Sequence, residues 1–303
     1  MSEHIPHLPN LFILGARRTG TASLAHYLGQ HPALSFVEPR DPAFFQRDDL
    51  YQRGSQYYIH AFGRRANHAW FGEATSSYFA NPHIVGPRLR QTYGDCPLKF
   101  IVLLRDPVSR AWSHYLARVQ HGCEKRDFAT ALSQEERESP GSEARYLAEG
   151  SYMHHLSAWQ AYYPMENFLL LLSEDLAANP LAQVQRVCNW LDVETATPIG
   201  VSERLNMARY NSSPKLVEFV NHPPRWLQKF ARQMFPDTWH RYRLRHNLRE
   251  HLQTTVGTRP MLDPHLAHKL RQSYHDEILS LSKQLGRYLS HWLAEEERVQ
   301  ING

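Results

Sequence analysis

Apolar residues come in short blocks along this chain, at Leu11 to Leu14, Trp70 to Gly72, Phe100 to Leu104 and Phe168 to Leu172. Each block is too short for a buried helix and is followed by polar or Gly- and Pro-containing residues, so each is predicted as a strand. The segments between them read as helices; Ser23, Leu24, His26, Tyr27 and Leu28, for example, continue with helical periodicity. That alternation predicts an α/β fold, a parallel sheet flanked by helices on both faces. Ligands of such sheets collect beyond the carboxyl ends of the strands. Three of the strands run straight into polar clusters, "GARRTGTAS", "GEATSSYF" and "RDPVSRAWSHY", which a parallel sheet would place along one edge. The fourth ends in "SEDLAANP", where Ser173 is expected to cap a short helix and Pro180 to open the next.

The first cluster suits an anion. It sits where a strand ends and a helix begins, and the first N–H groups of a helix lack partners within it while the dipole favours negative charge. Gly15 and Gly20 allow close backbone approach, and Thr19, Thr21 and Ser23 add hydroxyl donors. The spacing Gly15-x-x-x-x-Gly20 is that of a P-loop, but Thr21 follows where a nucleoside-triphosphate site places lysine. In the third cluster Arg105 ends a strand and Pro107 opens a helix, with Ser109, Arg110 and Ser113 at helical spacing. Arg105 and Ser113 are then a pair for gripping one anion, or a helix-capping arginine beside an ordinary surface serine.

Composition changes this picture little. With 303 residues, 42% of them hydrophobic, the chain can bury a full core. A formal charge of +4 suits an anionic ligand without pointing to nucleic acid. Cys96, Cys123 and Cys188 lie far apart without metal-ligand spacing, which fits a reduced setting. The start "MSEHIPHLPN" has no leader pattern, and no apolar run reaches the about 18 residues of a membrane span, so a soluble, cytoplasmic protein is expected. The charged segment Lys125 to Gly150 reads as a surface helix and loop, and a long amphipathic helix from Pro264 to about Leu293 closes the chain.

Taken together, "GARRTGT", "GEATSSYF" and "RDPVSRAWSHY", in that order, resemble the sulfotransferases that use 3′-phosphoadenylyl sulfate (PAPS), most closely their heparan-sulfate and bacterial carbohydrate branch. "GSYMHHLSAWQAYYPMENFLLLLSEDL" extends the likeness, which covers roughly Leu8 to Leu176, and the segment from Asp263 to Trp292 looks like the closing helix of bacterial members. The resemblance implies a P-loop-type parallel sheet with a helical C-terminal extension: one domain over 1–303, with a core of about 8–200 and a helical, basic part of about 201–303. It implies that Arg17, Arg18, Thr19, Gly20, Thr21, Ala22 and Ser23 hold the 5′-phosphosulfate, and that Arg105 and Ser113 bind the 3′-phosphate. "RDPAFF", Arg40 to Phe45, resembles a Lys-Glu-Pro-x-Phe-Phe segment whose carboxylate is the general base, which places Asp41 in that role with Glu38 as the second candidate.

Two positions depart from the family pattern. The loop lysine that bridges the leaving phosphate and the sulfuryl group is Arg18, which stabilises charge but cannot donate a proton at neutral pH. The lysine of the "E-K-T-P-S-Y" motif of animal members is Ala74, and their Lys-Gly-Arg cofactor loop has only a loose counterpart in Gly257 to Pro264.

The reaction so implied is in-line transfer of the sulfuryl group to a hydroxyl, of a carbohydrate, glycolipid or small metabolite, with PAPS as co-substrate and no metal. His154 with His155, and His265 with His268, lack a further ligand at fixed spacing and read as solvated helix faces. Glu174 and Asp175 read as an acidic pair favouring a helix dipole, Glu73 as a catalytic or a structural carboxylate, and Thr75 and Ser77 as lining the cleft. The basic, aromatic stretch 225–251 suits a peripheral membrane surface or an anionic saccharide, or is a solvated face. A P-loop kinase and a non-catalytic nucleotide- or glycan-binding relative are the competing readings.

Overall fold

The computed structural model describes residues 8–38, 40–62, 68–135, 144–195 and 260–293, with short pieces at 200, 209–210, 223–224, 233–234, 248 and 255–256. Five strands, β1 (Leu11–Gly15), β2 (Leu34–Phe36), β3 (Trp70–Ala74), β4 (Lys99–Leu104) and β5 (Phe168–Leu172), form one sheet in the order β2-β3-β1-β4-β5. Every neighbouring pair is parallel. The expected strands are therefore present, and β2 is added at an edge. Its three residues "LSF" carry too little pattern to stand out in the sequence.

The strands are apolar throughout because both faces are covered. Side chains alternate across a strand, so Phe12 and Leu14 enter one core with Phe45, Phe100, Val102, Leu104 and Trp159. Leu11 and Ile13 enter the other with Leu24, Leu28, Ile101, Leu103 and Val187. The first core is roofed by α2 (Asp48–Tyr51), α3 (Gly54–Phe62), α4 (Pro82–Tyr93), α5 (Pro107–Gln120), α6 (Phe128–Ser133) and α7 (Tyr152–Gln160). The second is covered by α1 (Thr21–Leu28), α8 (Ser173–Ala178) and α9 (Pro180–Trp190). A separate two-stranded antiparallel pair joins β6 (Arg209–Tyr210) to β7 (Thr255–Val256).

The closing segment differs from the single helix expected. It is two helices, α10 (Pro264–Ser273) and α11 (His275–Leu285), followed by a 3-10 turn at Ser290–Trp292. The break falls at Tyr274, which is buried and donates its hydroxyl to Leu147 O at 2.5 Å. That tertiary anchor lies far away in sequence, so helical periodicity alone runs through it. Asp263 caps α10 by accepting from Leu266 N at 2.9 Å, and Ala267, Leu270, Ile278 and Leu281 join the first core.

Expectations for "SEDLAANP" need a similar correction. Ser173 is the first residue of α8 and its hydroxyl donates to Thr19 O at 2.7 Å instead of capping the helix. Asn179, not Ser173, is the side-chain cap here: its Oδ1 accepts from Ala182 N at 3.0 Å at the start of α9, with Pro180 in the first turn as expected. No helix among the described residues is long and apolar enough to cross a membrane. The stretch 225–251 lies outside the described residues apart from 233–234 and 248, as does 257–259 in the loose counterpart of the cofactor loop.

Candidate active site

β1 ends at Gly15, where the backbone has φ +147° and an added Cβ would lie 2.7 Å from Ser76 O and 3.0 Å from Phe79 Cβ. Only glycine lets the first loop press against the segment that follows β3. Gly20, in the left-handed region at φ +103°, leads into α1, whose N-terminus has no side-chain cap. The first-turn amides at Thr21 and Ala22 thus lie where an anion is favoured. Thr19 also braces the loop itself, its hydroxyl donating to Ala16 O at 2.7 Å. Thr21 and Ser23 are both buried at the start of α1.

Arg18, Arg105 and Ser113, predicted from separate clusters, come together. Arg18 Nε donates to Ser113 Oγ at 3.3 Å, and Arg105 Nη1 donates to Arg18 O at 3.2 Å. Their placement follows from local chemistry. Pro107 sits in the first turn of α5, while Asp106 accepts from Val108 N at 3.1 Å and from Ser109 Oγ at 2.6 Å, which fixes the helix start. Tyr152 donates its hydroxyl to Arg105 O at 2.7 Å. Burial lowers the Arg105 pKa from its ordinary value, and a guanidinium is basic enough to keep its charge.

Arg17 faces a different partner. Its Nη1 lies 2.9 Å from Glu149 Oε1, and Arg110 Nη1 lies 3.3 Å from the other oxygen of the same carboxylate. Arg110 is completely buried and also donates to Tyr146 O. His114 Nδ1 approaches Glu149 Oε2 at 3.6 Å, without a hydrogen bond. Burial first, then the charges of Arg110, Arg17, Arg118 and Arg18, hold its imidazole well below its usual pKa, so it stays neutral there.

Asp41 and Glu38 lie on the strip between β2 and α2. Asp41 has φ +65° and is anchored to the end of β3, its N–H donating to Ala74 O at 2.9 Å and its Oδ1 accepting from Ser76 N at 2.9 Å. Glu38 is exposed and lies 3.7 Å from Arg40 Nε, while Arg40 Nη1 donates to Ala22 O at 2.7 Å. The structure therefore ties Asp41 to the strand edge beside the loop and ties Glu38 only to an arginine.

Glu73 is fully buried, accepting from Tyr58 Oη at 2.6 Å and Thr75 Oγ1 at 2.8 Å. Burial raises its pKa to about 7 against hydrogen bonds from Tyr58, Tyr78 and Thr75 that lower it, and the charge of Asp41 adds to the rise. Of the two roles left open for Glu73, this burial supports the structural one. Thr75 is also fully buried, and Ser77 donates to Gln46 Oε1 at 2.5 Å. The Thr75 hydroxyl serves the Glu73 network and that of Ser77 holds Gln46.

Several features differ from the expectations for surface residues. The Lys125 to Gly150 segment, described except for 136–143, buries Glu135 and Glu149, and Glu124 just before it is buried too. Glu124 receives Arg126 and Tyr146, and Glu135 accepts from Leu147 N and Ala148 N, both at 2.7 Å. His155 is buried too, bonded to Ala148 O at 2.8 Å and lowered to about 4 by desolvation, whereas His265 is exposed. Glu174 accepts from Trp292 Nε1 at 3.0 Å and Asp175 pairs with Arg287 at 2.5 Å, so the acidic pair also fastens the C-terminal segment. Among the described residues no group of three or more His, Cys, Asp or Glu side chains is arranged to hold a metal ion.

Glu149 was not singled out in the sequence, because its partner Arg17 is 132 positions away. Arg110 and His114 did carry a signal: they stand one turn apart on the buried face of α5.

Residues 8–255 match the family described as the sulfotransferase domain. Heparan sulfate glucosamine 3-O-sulfotransferase 6 of Mus musculus is 30% identical over 188 residues, an alignment covering 61% of this chain and 53% of that protein. The bifunctional heparan sulfate N-deacetylase/N-sulfotransferase 1 of Caenorhabditis briggsae is 28% identical over 203 residues, covering 61% of this chain and 23% of that protein. The chain thus spans between 23% and 53% of the length of these two relatives. A crystal structure of a sulfotransferase from Alicyclobacillus acidocaldarius has the same fold, with a TM-score of 0.66 at 23% identity over 94% of this chain and 98% of that one.

Proposed function

Because the chain belongs to the sulfotransferase domain family, we propose that it transfers a sulfuryl group from PAPS to a hydroxyl of a saccharide. The observation that carries this reading is the hydrogen-bonded meeting of Arg18, Arg105 and Ser113 beside the uncapped N-terminus of α1. Backbone amides and guanidinium groups suit the two phosphate positions of the donor, and Gly15 lets the loop lie close against the segment after β3. The relatives named for heparan sulfate favour a sugar acceptor, and glycolipids and small metabolites offer the same kind of hydroxyl.

PAPS supplies a sulfuryl group on a good phosphate leaving group. Arg18 and the first amides of α1 stabilise the charge that grows on that phosphate as the S–O bond breaks. Arg105 and Ser113 hold the 3′-phosphate and so set the register of the donor. Asp41 takes the acceptor's proton as the new O–S bond forms; its anchoring to Ala74 and Ser76 supports it over Glu38.

Calorimetry with 3′-phosphoadenosine 5′-phosphate (PAP), beside ADP and ATP with magnesium, tests the reading on wild type and Arg105→Ala. We expect PAP to bind more tightly than ADP, and the substitution to weaken PAP by about 10- to 100-fold, the range of a charged hydrogen bond. ATP binding equal to PAP would favour a kinase. Tight PAP binding without transfer to any sugar panel would favour a non-catalytic relative.

A further inference from the structure

We propose that Glu149 is a positioning residue for the donor site, holding the guanidinium of Arg17 in the phosphate loop; this rests on the PAPS reading above. The carboxylate reaches the loop from a strap, residues 144–150. Glu149 is buried and bridges two cations, Arg17 at 2.9 Å and Arg110 at 3.3 Å, with His114 neutral beside them. One carboxylate between two guanidiniums leaves the cluster with a net positive charge, so Glu149 orients Arg17 without cancelling the attraction for an anion.

The strap is built to hold that carboxylate still. Glu135 accepts from the N–H groups of Leu147 and Ala148, Tyr274 donates to Leu147 O, and His155 bonds Ala148 O. Arg110 donates to Tyr146 O, and the Tyr146 hydroxyl donates to Glu124 at 2.7 Å. An added Cβ at Gly150 would stand 2.6 Å from the Tyr274 hydroxyl, so the strap also packs tightly at the residue after Glu149. Five side chains, those of Glu135, Tyr274, His155, Arg110 and Glu124, thus fix a short segment whose only acidic side chain among residues 144–150 points at the loop. Side chains held by surroundings of this kind define a guanidinium's position far better than the long, flexible arginine does alone.

The sign of the effect separates positioning from plain electrostatics. Removing a negative charge near an anion site tightens binding if Glu149 acts only through its field. It weakens binding if Glu149 positions Arg17. The experiment is PAP calorimetry on wild type, Glu149→Gln, Arg17→Ala and the double variant, with thermal melts of each in the absence of PAP. We expect Glu149→Gln to weaken PAP about tenfold in wild type and to leave affinity unchanged or tighter in the Arg17→Ala background. Because Glu149→Gln also leaves Arg110 without its carboxylate, the melting temperature is expected to fall; binding by the folded fraction, measured well below that temperature, is the deciding readout. Unchanged or tighter PAP binding by folded Glu149→Gln overturns the proposal, as does an equal loss in both backgrounds. Failure of wild type to bind PAP overturns the donor reading itself and the inference with it.

Discussion

Glu73→Gln is predicted to remove a pH dependence from the stability of this protein. Glu73 has no solvent exposure, and burial raises its pKa from 4.5 to about 7. Below pH 4.5 the carboxyl is protonated in both the folded and the unfolded chain, and the stability associated with the raised pKa is fully present. As pH rises, the unfolded chain ionises freely while the folded chain resists, so this stability is lost up to about pH 7 and does not return. At about 1.4 kcal/mol per pH unit, the loss over that interval is about 3 kcal/mol. Glutamine keeps the shape and an acceptor for Tyr58 but cannot ionise, so its profile lacks this step. Urea denaturation of both proteins between pH 4.5 and 8 gives the difference in stability at each pH, and groups common to both cancel. We expect wild type to lose about 3 kcal/mol relative to Glu73→Gln across that range. Adding Asp41→Asn to the wild type should move the step to lower pH, because the Asp41 charge is among the causes of the rise. A difference that stays constant with pH would refute the reasoning and place the Glu73 titration outside this window.

Asp41→Asn should lower turnover by about 10²- to 10⁴-fold, the range of a lost general base, while Glu38→Gln stays within a few-fold; steady-state rates with PAPS and a saccharide acceptor decide between them. Asp263→Ala removes the cap that receives Leu266 N at 2.9 Å and should cost about 1 kcal/mol. A thermal melt is expected to show a decrease of about 2 to 4 °C.

The sheet and the position of the glycine loop after β1 were readable because their signals are local. Phe168–Leu172 is an unbroken apolar run bounded by polar residues, and Pro107 with Asp106 marks the start of α5 within two residues. The loop residues likewise follow from a glycine spacing next to a strand. What escaped was set by distant partners. Tyr274 breaks the closing helix because its hydroxyl reaches Leu147, and Glu149 reads as one more charge in a charged segment until Arg17 is beside it. Thr75 looks like a cleft residue from its place after a strand, yet it turns inward to Glu73. Polar residues at strand ends signal a site edge; they do not say which of them face the ligand and which hold the walls.

The bonds that surround the phosphate loop join residues 95, 132 and 154 positions apart, from Arg18 to Ser113, Arg17 to Glu149 and Thr19 to Ser173. Contacts of such separation form late, because a long stretch of chain must be ordered before they can close. During synthesis Thr19 leaves the ribosome 154 residues before Ser173, which emerges only after β5 has been made. The loop can therefore be completed only after most of the sheet exists, so its final geometry belongs to the folded core rather than to an early intermediate.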